Sequence, residues 1–251
     1  MLGEEEKESL IKDTNREEKA SFFSFRRLIV FLVGFISGTF IIPLIIQIIV
    51  ISINRDYVNK ESPLYVEGMT IINSFRYAVL TIVLLCLLIP LLKEGVKRFK
   101  NWKNILYGVG FGAAIIGLTI FYNLIISAFV EIPPNGNEVL SRSMIKDYPI
   151  ITVFVVGLLG PFCEEIIYRY GLFGFINQKF KILAYIVTIL VFAFIHFDYT
   201  GDLFVEFLNL PVYILAGIIL TFAYDRFGLE SSLTAHVINN MYAVVIVLLV
   251  Q

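Results

Sequence analysis

Glu164 and Glu165 stand side by side in a run otherwise built of apolar residues, with Arg169 four positions beyond the second acid. The chain has two histidines, His196 and His236, each in a later apolar run; Phe192 precedes the first by four residues and Asn240 follows the second by four. One arginine cannot neutralise both acids, so a carboxylate is left over. A spare carboxylate beside an imidazole is what proton transfer to and from water requires. A second imidazole and an amide NH₂ suit the oxyanion of a carbonyl under attack. The chemistry indicated is hydrolysis. The pattern demands no cofactor, and the one alternative is a divalent metal such as zinc on Glu164, His196 and His236 with a position open for water. The helical His-Glu-x-x-His spacing is absent, because the histidines are 40 residues apart. No Gly-x-Ser-x-Gly occurs, and Cys86 and Cys163 lie in apolar runs away from either histidine, which disfavours serine and cysteine nucleophiles.

Taken singly, each of these groups has an ordinary explanation. Glu165 and Arg169 can form an ion pair that ties a bundle together, the histidines can be satisfied core residues, Asn240 can bridge helices and Phe192 can pack. Explained together, they fit a buried site better, since ionisable groups in hydrocarbon are costly and usually functional. Two other classes stay open: a proton-coupled transporter, and a non-catalytic immunity or scaffold membrane protein. A transporter more often shows paired repeats with broken helices, and none is evident.

The elements that must hold these groups are membrane helices. The chain is 58% hydrophobic with mean hydropathy +0.81, above the range of soluble domains. The expected fold is an all-α polytopic membrane protein of about seven spans, over 28–53, 71–92, 105–130, 150–178, 182–197, 203–224 and 232–250, with room for an eighth element at Pro211. Residues 1–27 read as a charged cytoplasmic tail, 28–149 as three helices with loops, and 150–251 as the part that carries the chemistry. The Pro133-Pro134-Asn135-Gly136-Asn137 stretch reads as a turn-rich loop. A net charge of −1 gives no reason to expect nucleic acid. The partners expected are membrane lipid and a peptide or membrane-protein substrate.

Lys93, Lys97, Arg98, Lys100 and Lys103, with Arg26 and Arg27 before the first span, place the N-terminus and the second loop in the cytoplasm. Lys179, Lys181 and the 225–230 turn then fall inside, and Asp198, Asp202 and Glu206 outside. Abundant Ile, Lys, Asn and Phe suggest an AT-rich bacterial genome, hence a bacterial plasma membrane. Glu164 lies 16 residues before Phe180 and His196 16 after it, so equal rise along a hairpin sets them at similar depth. His236 is shallower, eight residues from its turn, unless the inner loop after the fourth helix protrudes.

Glu164-Glu165-x-x-x-Arg169, Phe192-x-x-x-His196 and His236-x-x-x-Asn240, in that order on successive helices, resemble the three motifs of the CPBP intramembrane proteases. That group includes CAAX prenyl endopeptidases, bacteriocin-processing or self-immunity proteins and lysostaphin-resistance-like proteins. The resemblance covers about residues 150–251. It implies an endopeptidase whose site opens to the cytoplasm and whose substrate is a CAAX-type protein, a pheromone or a bacteriocin precursor. It also implies that Glu164 and His196 activate water, that His236 and Asn240 bind the oxyanion, and that Glu165 and Arg169 orient the glutamates. Phe192 would contact substrate. Both metal-dependent and metal-free mechanisms occur in the group.

Overall fold

The computed structural model describes residues 25–91, 96–97 and 99–250. Most of the charged leader, and Lys93 and Arg98 of the basic loop, lie outside these residues. Among them the chain is all-α: helices α1 (Phe25–Ile53), α2 (Tyr65–Leu88), α3 (Trp102–Ser127), α4 (Gly136–Asp147), α5 (Pro149–Ile176), α6 (Lys181–Phe194), α7 (Leu203–Phe227) and α8 (Leu229–Leu249). Six of the eight are long and apolar enough to cross a bilayer. Their outward faces carry large apolar residues such as Ile45, Ile48, Phe121 and Leu124, as a lipid solvent favours. The protein is an all-α polytopic membrane protein.

α5 is the central helix. Half of its apolar window is buried, against 11–28% for the other five long spans. Its residues Cys163, Ile166, Ile167 and Tyr168 share one core with Val30 of α1, Leu80 and Leu84 of α2, Phe192 of α6, Leu220 of α7 and Ala235 of α8. Gly108 and Gly112 bring α3 against α8 at backbone distance; a Cβ on Gly112 would lie 2.9 Å from Ile238 and 3.0 Å from the Ala235 carbonyl.

Three expectations need correction. The 135–137 stretch is the start of a helix: Asn135 caps α4, its Oδ1 accepting from the Glu138 amide at 2.9 Å. Asn135-x-x-Glu138 is the sequence signature of such a start. The second span begins at Tyr65, six residues earlier than the apolar run suggests, so Arg76 sits near mid-helix instead of at an end. Pro211 neither breaks α7 nor begins another element. The carbonyl that loses its helical donor to Pro211 is that of Phe207, and the adjacent Leu208 carbonyl accepts from Tyr122 Oη at 2.7 Å.

α6 is short. Its 14 residues rise about 21 Å, less than the roughly 30 Å of hydrocarbon. His196 lies two residues past its last residue, Phe194.

Candidate active site

α1 and α5 both contain π-helical turns, Ser37–Ile41 and Val155–Leu159, and each is followed by a proline, Pro43 and Pro161. In the i→i−5 register those prolines are the residues that should donate to Gly38 and Val156, and proline has no N–H. Two polar side chains take the stranded carbonyls. Arg76 Nε donates to Gly38 O at 2.8 Å, and Asn240 Nδ2 donates to Val156 O at 2.9 Å. The two broken ladders thus tie α2 to α1 and α8 to α5, the helix that carries Glu164.

Three of the sequence-selected side chains converge there. His196 Nε2 and His236 Nε2 lie 3.9 and 3.8 Å from Glu164 Oε2. Each ring is held through its other nitrogen: His196 Nδ1 lies 2.8 Å from the Phe192 carbonyl, and His236 Nδ1 lies 2.8 Å from Glu165 Oε1. With a proton on Nδ1 in both rings, both Nε2 atoms face the same carboxylate oxygen. The separations are too long for direct hydrogen bonds and suit one water oxygen between the three groups. The depth difference expected for His236 does not arise. α5 is π-helical over Glu165–Phe173, which shortens its rise, and Lys181 bridges Asp225 at 2.8 Å, levelling the two turns.

Glu165, Arg169 and Phe192 form a layer behind the histidines. Arg169 Nη1 is 2.9 Å from Glu165 Oε1, and both side chains are fully buried. The Arg169 guanidinium lies 4.2 Å from the centroid of Phe192, whose ring in turn packs on His196 and His236. Phe192 is 2% exposed and does not face the cavity described next. Glu165 likewise faces His236 and has no access to that cavity.

A cavity of ≈ 310 Å³ begins at Glu164, His196 and Asn240. It runs past Arg76 and Tyr77 to Met69 on α2 and to Asn137, Leu140, Ser141 and Met144 on one face of α4. α4 is held in place by the buried Glu206 of α7, which accepts from the Gly136 amide at 3.2 Å, the Asp198 amide at 3.0 Å and Asn135 Nδ2 at 3.3 Å. The cavity therefore points to the end of the bundle that holds residues 54–64, 128–148 and 195–202. By the positive-inside rule that end is the outer one. Cytoplasmic opening, implied by the resemblance, and a cytoplasmic N-terminus cannot both hold.

Tyr77 is a site residue that motif reading missed. Its hydroxyl donates to Glu164 Oε1 at 3.3 Å, leaving Oε2 for the histidine side. The first two spans thus contribute to the site, although sequence placed all the chemistry after residue 150. Asn240 has one N–H committed to Val156 and another left for a ligand. As to zinc, ligands on a tetrahedral ion at 2.0–2.1 Å stand about 3.4 Å apart. Glu164, His196 and His236 are set wider, and among the described residues no three His, Cys, Asp or Glu side chains are gathered to hold a metal ion. As placed, the trio does not fit zinc.

Comparison with known proteins agrees with the motif reading. Residues 146–242 match the Rce1-like family, described as type II CAAX prenyl endopeptidase Rce1-like. The match contains all six motif acids, bases and amides from Glu164 to Asn240, and the family similarity is confined to this segment. An uncharacterized protein of Mycoplasma capricolum subsp. capricolum is 26% identical over 171 residues, 62% of this chain and 49% of the relative. The UPF0177 protein YvdC of Lactococcus lactis subsp. lactis is 26% identical over 144 residues, 55% of this chain and 53% of that protein. The chain spans about half the length of the curated relatives it matches. No solved structure matches.

Proposed function

We propose, from an Rce1-like segment embedded in seven apolar helices, that the protein is an intramembrane endopeptidase in which Glu164 activates water. The observation that carries this reading is the convergence of both imidazole Nε2 atoms on one oxygen of Glu164, at 3.8 and 3.9 Å. A water between them is oriented by His196 and loses a proton to Glu164 as its oxygen attacks the peptide carbonyl. The oxyanion accepts from the spare N–H of Asn240 and from His236, whose Nε2 donates when protonated because Nδ1–H stays on Glu165. As the C–N bond breaks, the proton on Glu164 passes to the leaving nitrogen. The products are an amine and a carboxylic acid, which ionise together to ammonium and carboxylate, and no covalent enzyme intermediate forms.

Tyr77 holds the unused oxygen of Glu164, and the Arg169–Glu165 pair orients His236. We take the positive-inside orientation, with the N-terminus in the cytoplasm of a bacterial plasma membrane and the cavity facing out. The substrate is then a membrane-associated peptide or protein segment in extended form, such as a pheromone or bacteriocin precursor, because a cavity of ≈ 310 Å³ admits a few residues and no folded domain.

The test is purified full-length protein in detergent with a defined library of unstructured peptides, products read by mass spectrometry. Internal cleavage that disappears in His236→Ala supports the reading. No cleavage by folded protein, or cleavage unchanged in His236→Ala, contradicts it and favours a binding or scaffold protein.

A further inference from the structure

The cavity lining includes one cation, Arg76, and one carboxylate, Glu164. Arg76 lies 11 residues into α2, about 17 Å along a helix that crosses roughly 30 Å of hydrocarbon. A guanidinium at that depth is costly without an anion. Its side chain is nonetheless fixed: Nε is held by the Gly38 carbonyl at 2.8 Å and the guanidinium carbon stands 5.0 Å from the Tyr77 ring centroid. Among the described residues Arg76 forms no ion pair with a carboxylate, and Glu164 directs its two oxygens to Tyr77 and to the histidines. With Nε used on the backbone, the Nη pair is the part left to meet a ligand, and that fork matches a carboxylate.

We propose that Arg76 is a carboxylate-binding residue for the substrate, lying beside the scissile bond. This rests on the peptidase reading and extends it to substrate class. The carboxylate comes from the substrate's free C-terminus or from an acidic side chain a short distance from the cut. Either source neutralises the one cation of the cavity, and Tyr77, next to Arg76 and bonded to Glu164, ties the anion subsite to the general base. Arg76 lies outside the segment 146–242 that matches the Rce1-like family, so the subsite belongs to the N-terminal helices.

The experiment uses fluorescein-labelled unstructured octapeptides of fixed sequence, each as free acid, as C-terminal amide, and with an internal aspartate or its asparagine isostere. Binding is measured by anisotropy to full-length Glu164→Gln protein, which removes cleavage from the readout, and cleavage is measured on the wild type. We expect the carboxylate form to bind and turn over about tenfold better than its neutral partner. Arg76→Gln should erase that preference through KM, and Arg76→Lys, which restores a charge without the fork, should return part of it. A loss confined to the acid–amide pair assigns the C-terminus; a loss confined to the Asp–Asn pair assigns a side chain. Equal binding of charged and neutral forms, or an Arg76→Gln protein that loses both alike, overturns the proposal. Carboxylate-dependent binding by a wild type that cleaves nothing would keep the subsite and remove the peptidase reading instead.

Discussion

Glu165 Oε1 lies 2.8 Å from His236 Nδ1 and 2.9 Å from Arg169 Nη1, so one oxygen serves the ring and the cation together. The arginine fixes the charge of the carboxylate, the carboxylate holds a proton of His236 on Nδ1, and Nε2 is thereby aimed at Glu164. Glu165 and Arg169 carry no face on the cavity, and their effect on chemistry passes through His236.

Removing one member of that pair strands a buried charge, at a cost of about 3–5 kcal/mol. Glu165→Gln should therefore lower thermal stability sharply. Replacing both, in Glu165→Gln with Arg169→Met, should recover most of the lost stability while cleavage stays depressed. Differential scanning fluorimetry in detergent and the peptide assay read the two quantities separately. A double variant that recovers stability and turnover together would make the pair purely structural.

Tyr77→Phe keeps the ring that packs beneath Arg76 and removes the hydroxyl that donates to Glu164 Oε1 at 3.3 Å. A contact of that length is worth about 1 kcal/mol, so kcat should fall about fivefold with little change in stability. Unchanged kcat would separate Tyr77 from the base.

Much of this site was legible because charge in hydrocarbon is conspicuous. Glu164, Glu165, Arg169, His196, His236 and Asn240 each interrupt an apolar run, and all seven runs are helices in the structure. Arg76 and Tyr77 were less conspicuous: tyrosine is common in membrane helices, and the apolar run begins later than the helix, which shifted Arg76 toward an end. α4 was obscured by its two prolines, although Asn135 and Glu138 carried its start signal. The π-turns that bring Asn240 to Val156 leave only a proline as trace, and the cavity they help shape depends on contacts between helices far apart in sequence.

Orientation is tested by single cysteines in a Cys86→Ser background, labelled with an impermeant maleimide on intact cells. The exposed positions Lys97 and Asn59 lie at opposite ends of α2. A label at Asn59 and protection at Lys97 until the cells are opened fits a cytoplasmic N-terminus and an outward cavity. The reverse pattern would turn the site to the cytoplasm and restore the family's expected opening.

Zinc content is the next distinction. The trio of Glu164, His196 and His236 is spread too widely for a tetrahedral ion, so cleavage should survive dialysis against a strong chelator, with substoichiometric metal by atomic spectroscopy. Activity lost on chelation and restored by zinc would mean that the three groups close around an ion in the working protein.

Glu164→Gln tests the central claim most directly, because it preserves shape and hydrogen bonding while removing the base. The measurement is kcat for peptide cleavage by purified variant and wild type, with melting temperature and peptide affinity recorded on the same samples. The account predicts a fall in kcat of about 10²–10⁴ with stability and affinity retained. Turnover within a few-fold of wild type, in a variant that folds and binds peptide, would contradict it.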